Sequence, residues 1–334
     1  MNRMGLGICL IAAGLLAAAA CSNDGDNKDC SGGSCDERNV VVQPDQGEGW
    51  EIFRDLYHYT HQGSRLIPYR WLVALEQADS EAMFAEPSNM RRLGFNEDLV
   101  RTAQAERLNP DNLPLGVVKD DRVGRFGEQW VGLNCAACHT SEIDYKGTTF
   151  QIDGGGGLLD LQHTEAELLA ATDAILLDDD KALRFEDRVL GSEATPAQRL
   201  ELGLNLVDYV IELEERIDRH APAIPGALVG ASGTVDLRYG PGRVDAYTTL
   251  INETVCAMLP MAENCRPGNT PTNYPHLWGI SDFDWAQTNS LTHAVLGRNV
   301  GELLGVYGHS SLDNCTTLED NPQLCEFNSS AHID

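Results

Sequence analysis

The chain has 334 residues, 42% of them hydrophobic, which is enough for one large folded domain or two smaller ones. Its formal charge of −27, from 24 basic and 51 acidic residues, disfavours nucleic-acid binding because such a surface repels phosphate backbones. The same charge favours a basic redox partner protein through electrostatic steering, although an acidic surface is also common in exported, salt-adapted proteins.

The first residues have the pattern of a secretory signal peptide, predicted over 1–20. Arg3 precedes an apolar run from Gly5 to Ala20, and the run ends in small residues. Cys21 follows at once, so the junction resembles a lipoprotein cleavage site, although Ala18 stands where leucine is usual. We expect a bacterial periplasmic or cell-envelope protein, lipid-anchored at Cys21 or simply cleaved before it. Residues 21–48 are predicted to form a polar tether.

Apolar periodicity predicts that most of the remaining chain is helical. Helices are expected from Trp50 to about Ala78 with breaks near Gly63 and Pro68, over Glu81–Glu106 with breaks at Pro87 and Gly94, over Thr164–Leu177, from Pro196 to near Pro222, over Val244–Leu259 and over Asn299–Tyr307. Asn109–Gly127 is predicted to be loop-rich, and Tyr145–Ile152 to form a short β-hairpin. The predicted class is mainly α, a cytochrome c-like haem domain over 49–334 with long loops.

The cysteines divide into those of a motif and those available for disulfides. Cys9 leaves with the signal peptide, Cys21 is the possible lipid site, and Cys135 and Cys138 belong to the motif described next. The remaining six lie in sequence-local pairs, and short loops close most readily. Local pairing is therefore expected at 30–35, 256–265 and 315–325.

The strongest motif is Cys135-Ala-Ala-Cys138-His139. Two thiols at this spacing can each form a thioether to one haem, and the following imidazole can bind its iron. A redox dithiol does not need the histidine, and a zinc site would need a second ligand pair that the sequence does not offer. We therefore predict one covalently bound c-type haem, with His139 as the iron ligand.

The sixth iron ligand would decide the chemistry, because a filled position favours electron transfer and an open one admits oxygen or peroxide. The sequence offers several candidates and does not choose among them: His58, His61, His163, His276, His293, His309, Met258 and Met261.

The haem motif belongs to a longer segment, Trp130–His139, and five further motifs follow it along the chain. They are Ile152–Gly157, Gly240–Ala246, Pro275–Trp278, Phe283–Trp285 and Gly297–Gly305. Together they resemble the di-haem cytochrome c peroxidase superfamily, in the branch similar to rubber oxygenases. The resemblance implies a helical protein with two c-type haem domains, one reacting with peroxide or dioxygen, and often a calcium ion between the domains.

On this chain, the resemblance implies the first haem site at Cys135, Cys138 and His139. Arg243 would pair with a haem propionate, and Asp245 would orient a partner or cap the following helix. Trp278 or Trp285 would be the aromatic residue between haems. Arg298, Asn299 or His293 would face the distal side of the haem and polarise bound peroxide.

A second Cys-x-x-Cys-His motif is absent from the 334 residues, so we expect the chain to be incomplete relative to the di-haem family. The predicted function is an exported haem oxidoreductase of peroxidase or oxygenase type. The alternatives are a mono-haem electron-transfer cytochrome and a non-catalytic, lipid-anchored haem-binding module.

Overall fold

The computed structural model describes residues 40–220, 239–259, 261–285, 293–313 and 326–329. The chain divides into two compact units, Met1–Arg38 and Asn39–Asp334, and every described residue belongs to the second. The predicted signal peptide, Cys21 and the pairs 30–35 and 315–325 lie outside the described residues. In the described part, no helix is both long and apolar enough to cross a membrane.

In the described residues, short strands are interspersed among the helices. The helices are α1 (Trp50–Tyr59), α2 (Tyr69–Ala74), α3 (Pro87–Arg92), α4 (Ala103–Leu108), α5 (Cys135–Cys138), α6 (Leu161–Leu177), α7 (Asp179–Leu190), α8 (Pro196–His220), α9 (Ala246–Asn252) and α10 (Val295–Gly305). The strands are β1 (Val40–Val42), β2 (Ile67–Pro68), β3 (Val117–Val123), β4 (Gln129–Leu133), β5 (Thr140–Tyr145), β6 (Thr148–Asp153), β7 (Arg243–Val244), β8 (Thr272–Asn273), β9 (Ser310–Asp313) and β10 (Glu326–Ser329).

The strands form small sheets, and this corrects the predicted fold class. Two sheets have three strands, in the orders β1-β6-β5 and β2-β4-β3, while β7-β8 and β10-β9 are two-stranded pairs. The described chain is about 48% helical and 16% strand, so its class is mixed α and β. The prediction of a mainly α, cytochrome c-like domain is therefore wrong.

The missed strands explain that error. β3 lies inside the segment that was predicted to be loop-rich, and only its first residues are apolar before Lys119 and two aspartates follow. β4 lies between β2 and β3 and is buried from Trp130 to Leu133, so it lacks the alternation that marks a half-exposed strand.

The predicted hairpin is present and longer than expected. β5 and β6 pair antiparallel from Tyr145↔Thr148 to Thr140↔Asp153. Lys146 and Gly147 both have positive φ values, of 50° and 75°, as a tight two-residue hairpin turn requires. β1 adds to the same sheet in parallel, with Val40 opposite Thr148. The folded unit thus includes residues 40–48, which the sequence had placed in the polar tether, because their backbone completes this sheet.

The hydrophobic core lies between the β2-β4-β3 sheet and helices α2, α6, α7 and α8. Trp71 is at its centre: its ring stacks on Phe126 at 5.3 Å and meets the Phe185 and Tyr209 rings edge-on. Leu206 and Leu213 of α8 are buried in the same cluster. α8 agrees with the helix predicted from Pro196.

Helix starts differ locally from the sequence pattern. α6 begins three residues before the predicted Thr164, because the Asp160 carboxylate accepts a hydrogen bond from the His163 amide at 3.1 Å.

After its last residue, Asn252, α9 continues as a π-helical segment, Glu253–Met258. Cys256 in that segment is disulfide-bonded to Cys265, as expected from their spacing.

Candidate haem-attachment site

The predicted motif lies at the junction of the two three-stranded sheets. β4 ends at Leu133, α5 contains both motif cysteines, and β5 begins at Thr140 directly after His139. Asn134 fixes this junction: its side-chain oxygen accepts from the Ala136 amide at 2.9 Å and so caps α5. The same side chain donates to the carbonyls of Tyr57 and Thr60, each at 3.0 Å. The start of α5 is therefore tied to the end of α1.

The residues between the two cysteines are small because other backbone lies against them. Ala136 and Ala137 are 1% and 4% exposed. Gly116 has a φ of 75°, and a Cβ on it would collide with the backbone of Ala137. On the other side, the Gly157 amide donates to the Cys138 carbonyl at 2.8 Å. The backbone of Gly116 thus packs against one side of α5, and the backbone of Gly157 packs against the other.

Both motif cysteines are free thiols on one turn of helix. Cys138 is buried, and this burial raises the pKa of its thiol to about 12. Burial likewise raises the pKa of Cys135, whose sulfur lies 3.7 Å from the Gln62 side-chain oxygen. Residues three apart on a helix share a face, so the two sulfurs lie on the same side of α5.

The His139 ring has a defined tautomer. Its Nδ1 lies 2.7 Å from the Pro275 carbonyl oxygen, and because a carbonyl only accepts, Nδ1 must carry the proton. Burial lowers the pKa of His139, which favours the neutral ring. Nε2 therefore keeps its lone pair for a metal, which is the usual arrangement of a metal-binding histidine. The donor set of two thiols and one oriented imidazole fits a c-type haem.

Two tyrosines hold the backbone and ring of His139. The Tyr57 hydroxyl donates to the His139 carbonyl at 2.6 Å. The Tyr274 ring lies 5.9 Å from the imidazole, and its hydroxyl donates to the Leu159 carbonyl at 3.1 Å. Tyr274 directly precedes Pro275, so the same segment packs on the ring and orients it.

A buried polar cluster forms around Asp153, at the end of β6. Its carboxylate accepts from His58 at 2.7 Å, from Arg54 at 2.9 Å and from Trp50 at 3.0 Å. Asp153 and His58 are 1% and 2% exposed. Although burial alone would raise it, hydrogen bonds from these partners hold the pKa of Asp153 below its ordinary value. The cluster links α1 to the loop beside the haem motif.

The glycine run 154–157 follows this aspartate, and residues without a Cβ let other atoms approach the backbone closely. In the structure, the chain itself makes the close approaches. A Cβ on Gly156 would collide with the Tyr274 carbonyl oxygen, and one on Gly155 would crowd the Ser141 hydroxyl. Gly156 thereby admits the segment that supports His139.

Several candidate sixth ligands have other partners. His58 binds Asp153, His163 binds Glu167, and His309 lies 3.3 Å from the Arg65 carbonyl. The His276 ring stacks on Trp278 at 5.5 Å, and Met261 sulfur accepts from Asn264 at 3.6 Å. Met258, the remaining methionine, lies in the π-helical segment after α9.

The predicted distal residues lie on or next to α10. The Arg298 guanidinium donates to Asn299 at 3.2 Å, and His293 contacts Trp285. Arg298 and Glu302, one helical turn apart, both act electrostatically on the Cys135 thiol. Burial raises the pKa of Glu302, while Arg298 lowers it. The structure thus brings α10 to the haem motif and adds Glu302, which the sequence analysis did not single out.

Trp278 and Arg243 do not lie on α10. Trp278 is on the loop that carries Pro275; it is 53% exposed, and its indole nitrogen donates to the Asp153 carbonyl at 2.9 Å. Arg243 is exposed on β7, pairs across the ladder with Asn273 and donates to its side chain at 3.2 Å. The propionate role of Arg243 and the electron-relay role of Trp278 stay predictions.

Asp245 has the capping role that was one of its two predicted roles. One carboxylate oxygen accepts from the Thr248 amide at 3.0 Å at the start of α9. The other accepts from the amides of Asn269 and Thr270, each at 2.9 Å.

Among the described residues, one group of possible metal ligands does not include the motif cysteines or His139. The ligand atoms of His61, Asp120 and Asp121 lie within 4.8 Å of one another. Arg65 and Arg122 already neutralise Asp120 and hold its pKa at about 2, although burial alone would raise it. Calcium prefers a shell of oxygen ligands, so this group does not match the expected calcium site. Calcium binding stays a prediction.

The residues that sequence analysis missed act mostly through the backbone. Pro275 orients His139 with a carbonyl group, which every residue type has, so no side-chain signal marks it. His58 was considered as an iron ligand, and Tyr57 only as part of a helical pattern. Arg54 and His58 lie on the same face of α1, and this pair was a weak sequence signal for a buried carboxylate partner, which is Asp153.

Comparison with known proteins adds one relative. No protein-family model matches the chain, and no solved structure matches it. The uncharacterized protein y4iJ of Sinorhizobium fredii is 30% identical over an alignment of 275 residues, which covers 76% of this chain and 42% of the relative. The chain therefore spans less than half the length of that relative. The resemblance to di-haem peroxidases stays a prediction, and the chain is similar to a longer bacterial protein whose name states no activity.

Proposed function

We propose that the chain is an exported c-type haem protein, an oxidoreductase of peroxidase or oxygenase type. Cys135 and Cys138 would each hold the haem by a thioether, and His139 would bind the iron through Nε2. The observation that carries this proposal is the 2.7 Å contact between His139 Nδ1 and the Pro275 carbonyl. A histidine in a redox dithiol has no need of this fixed tautomer, whereas an iron ligand does.

A bound haem would supply a redox-active iron, and the chain would supply its orientation. The Pro275 carbonyl makes the His139 ring more basic by accepting its Nδ1 proton. Tyr57 and the glycine backbone on either side of α5 keep the motif in one position. These groups limit movement of the imidazole during a reaction.

Arg298 would supply positive charge on the side of the motif that α10 approaches. Heterolysis of a peroxide bond develops negative charge on the departing oxygen, and a nearby guanidinium stabilises it. Glu302, whose pKa is raised by burial, is placed one turn away on the same helix to hold or release a proton. Peroxide or dioxygen would be the small oxidant.

An electron-transfer cytochrome is the second candidate, and the net charge of −27 favours it. A chain this acidic attracts a basic redox partner and speeds their encounter at low salt. This candidate requires a second protein ligand on the iron, whereas the oxidoreductase requires an open or exchangeable position.

Haem attachment is tested by producing the full chain, with its own residues 1–20, in a bacterium that matures c-type cytochromes. We expect Soret absorption and one haem mass retained after denaturation. The double variant Cys135→Ala/Cys138→Ala should lose both, and His276→Ala, which changes an exposed histidine on the Pro275 loop, should keep both. A wild-type protein without covalent haem would contradict the proposal.

The oxidoreductase and the electron carrier are separated by the spectrum with added hydrogen peroxide. An oxidoreductase should contain high-spin or exchangeable iron, react with peroxide and oxidise an added reductant. Purely six-coordinate, low-spin iron that ignores peroxide but exchanges electrons with a basic cytochrome would establish the second candidate.

A further inference from the structure

Helix α8 has a second apolar face that the protein core does not use. Its inward face contributes Leu202, Leu206, Leu213 and Ile217 to the core. Four large apolar side chains face solvent instead, and we call them the α8 stripe: Leu200, Leu204, Val207 and Ile211, which are 66%, 59%, 39% and 50% exposed.

The spacing of the α8 stripe is that of a helix-pairing seam. Its residues follow one another at intervals of four, three and four, which keeps them in line along one side of the helix. A helix at the surface of a monomer needs only one apolar stripe, toward its own core. The second stripe therefore fits another helix laid along α8.

Gly203 borders the stripe within the same two turns. A Cβ on this glycine would meet no atom of the described chain within 4 Å, so the fold does not require its small size. Glycine in a helix interior lowers helix stability by about 0.5–1 kcal/mol relative to alanine. Close approach of a partner backbone is a use that would explain the residue.

The charges beside the stripe indicate what kind of helix fits. Six acidic residues line the solvent side of α8: Glu201, Asp208, Glu212, Glu214, Glu215 and Asp218. Arg125, from another segment, pairs with Asp208 and Glu212. The arginines of α8 itself are engaged: Arg199 binds Glu186 and Asp187, while Arg216 and Arg219 bind Glu253.

We propose that the α8 stripe is a docking surface for a basic amphipathic helix of a partner protein. The partner would place apolar residues at heptad spacing against the stripe and Lys or Arg beside its acidic border. A second copy of this chain fits less well, because two antiparallel α8 helices would bring Glu201 and Asp208 against like charges. The surface is independent of haem binding.

The test uses the full chain and a designed three-heptad peptide with Leu at the seam and Lys at the flanking positions. Fluorescence anisotropy of the labelled peptide should show binding. A matched peptide with Glu at the flanking positions, and a Lys peptide with Ser at the seam, should not bind. Equal binding of the two Lys peptides would overturn the proposal, since attraction to net charge alone would then explain it.

Two variants that each replace an exposed apolar residue with Asp locate the site. Leu204→Asp, in the α8 stripe, should weaken Lys-peptide binding by at least about tenfold, because a carboxylate would be desolvated at the seam. Ile52→Asp, at a 72% exposed position on α1, adds the same charge and should leave binding unchanged. Equal effects of the two variants would contradict the proposed location.

Gly203→Gln separates docking from folding. Its added side chain points into open space, so the thermal midpoint should stay the same or rise, while peptide binding should weaken. Sedimentation velocity of the wild-type protein tests the alternative that a second copy of this chain binds the α8 stripe. A dimer that Leu204→Asp dissociates would overturn the proposed basic partner and make the stripe a self-interface.

Discussion

The two groups of residues to which we propose haem-related roles differ in how firmly the chain holds them. His139 and its turn of helix are held by Asn134, Tyr57 and the Pro275 carbonyl, through hydrogen bonds of 2.6–3.0 Å. Arg298 is only half-buried, and its side chain donates to its neighbour Asn299 at 3.2 Å.

This difference separates positioning from reactivity. A group that must keep one geometry needs supporting contacts from several elements, whereas a group that meets an incoming oxidant must stay accessible. Substitutions on the His139 side should therefore change the free energy of unfolding, and substitutions on α10 should change reactivity with little effect on stability.

The largest loss of stability is expected from substitution of Asp153. Asp153→Asn removes a buried charge that pairs with Arg54 and His58, and breaking such a pair costs about 3–5 kcal/mol. Urea unfolding should show this loss. Glu51→Gln, on the exposed side of α1, is the control and should stay within about 0.5 kcal/mol. Similar stability of the two variants would mean that the Asp153 cluster does not support the site.

The same carboxylate should contribute to acid sensitivity. Its pKa in the folded chain lies below the ordinary value of 3.8, so the folded state binds fewer protons than the unfolded state. The stabilisation is present above that ordinary value and is lost as pH falls through the depressed pKa. Thermal midpoints measured between about pH 6 and about pH 3 should fall less steeply in Asp153→Asn than in the wild type. An equal fall of the thermal midpoint with pH in the two proteins would show that the Asp153 carboxylate does not contribute to acid sensitivity.

A smaller effect is expected at Tyr57. Tyr57→Phe leaves the His139 carbonyl without its hydroxyl donor, and an unsatisfied buried acceptor costs about 1–3 kcal/mol. Tyr145→Phe, at a 59% exposed position near the hairpin turn, is the matched control. We expect chemical unfolding to separate the two variants. A Tyr57→Phe chain as stable as the control would show that this bond does not hold the motif.

The smallest effect on stability is expected at Arg298. Arg298→Ala should change the free energy of unfolding by less than about 0.5 kcal/mol, because the side chain is half-exposed. The rate of reaction with peroxide should nevertheless fall by about 10²–10³-fold, the usual cost of losing a charge-stabilising donor. Unchanged peroxide kinetics, measured by stopped-flow absorbance, would remove Arg298 from the site.

The sequence by itself determined the features that depend on neighbouring residues. The spacing of Cys135 and Cys138 places them on one helical turn that His139 directly follows, and short separation correctly predicted the Cys256–Cys265 disulfide. The hairpin predicted over Tyr145–Ile152 also depends on adjacent residues, and Gly147 supplies a positive φ at its turn. Such features need no knowledge of the rest of the fold.

Only the tertiary structure decided what supports the motif and which class the fold belongs to. Pro275 reaches His139 across 136 positions of sequence and uses a carbonyl common to all residues, so no residue pattern records the contact. β4 is a strand because β2 and β3 pair with it on either side, and its burial removes the alternation by which a strand is recognised. Long-range hydrogen bonds to backbone groups set both outcomes, and they depend on where distant segments of the chain meet.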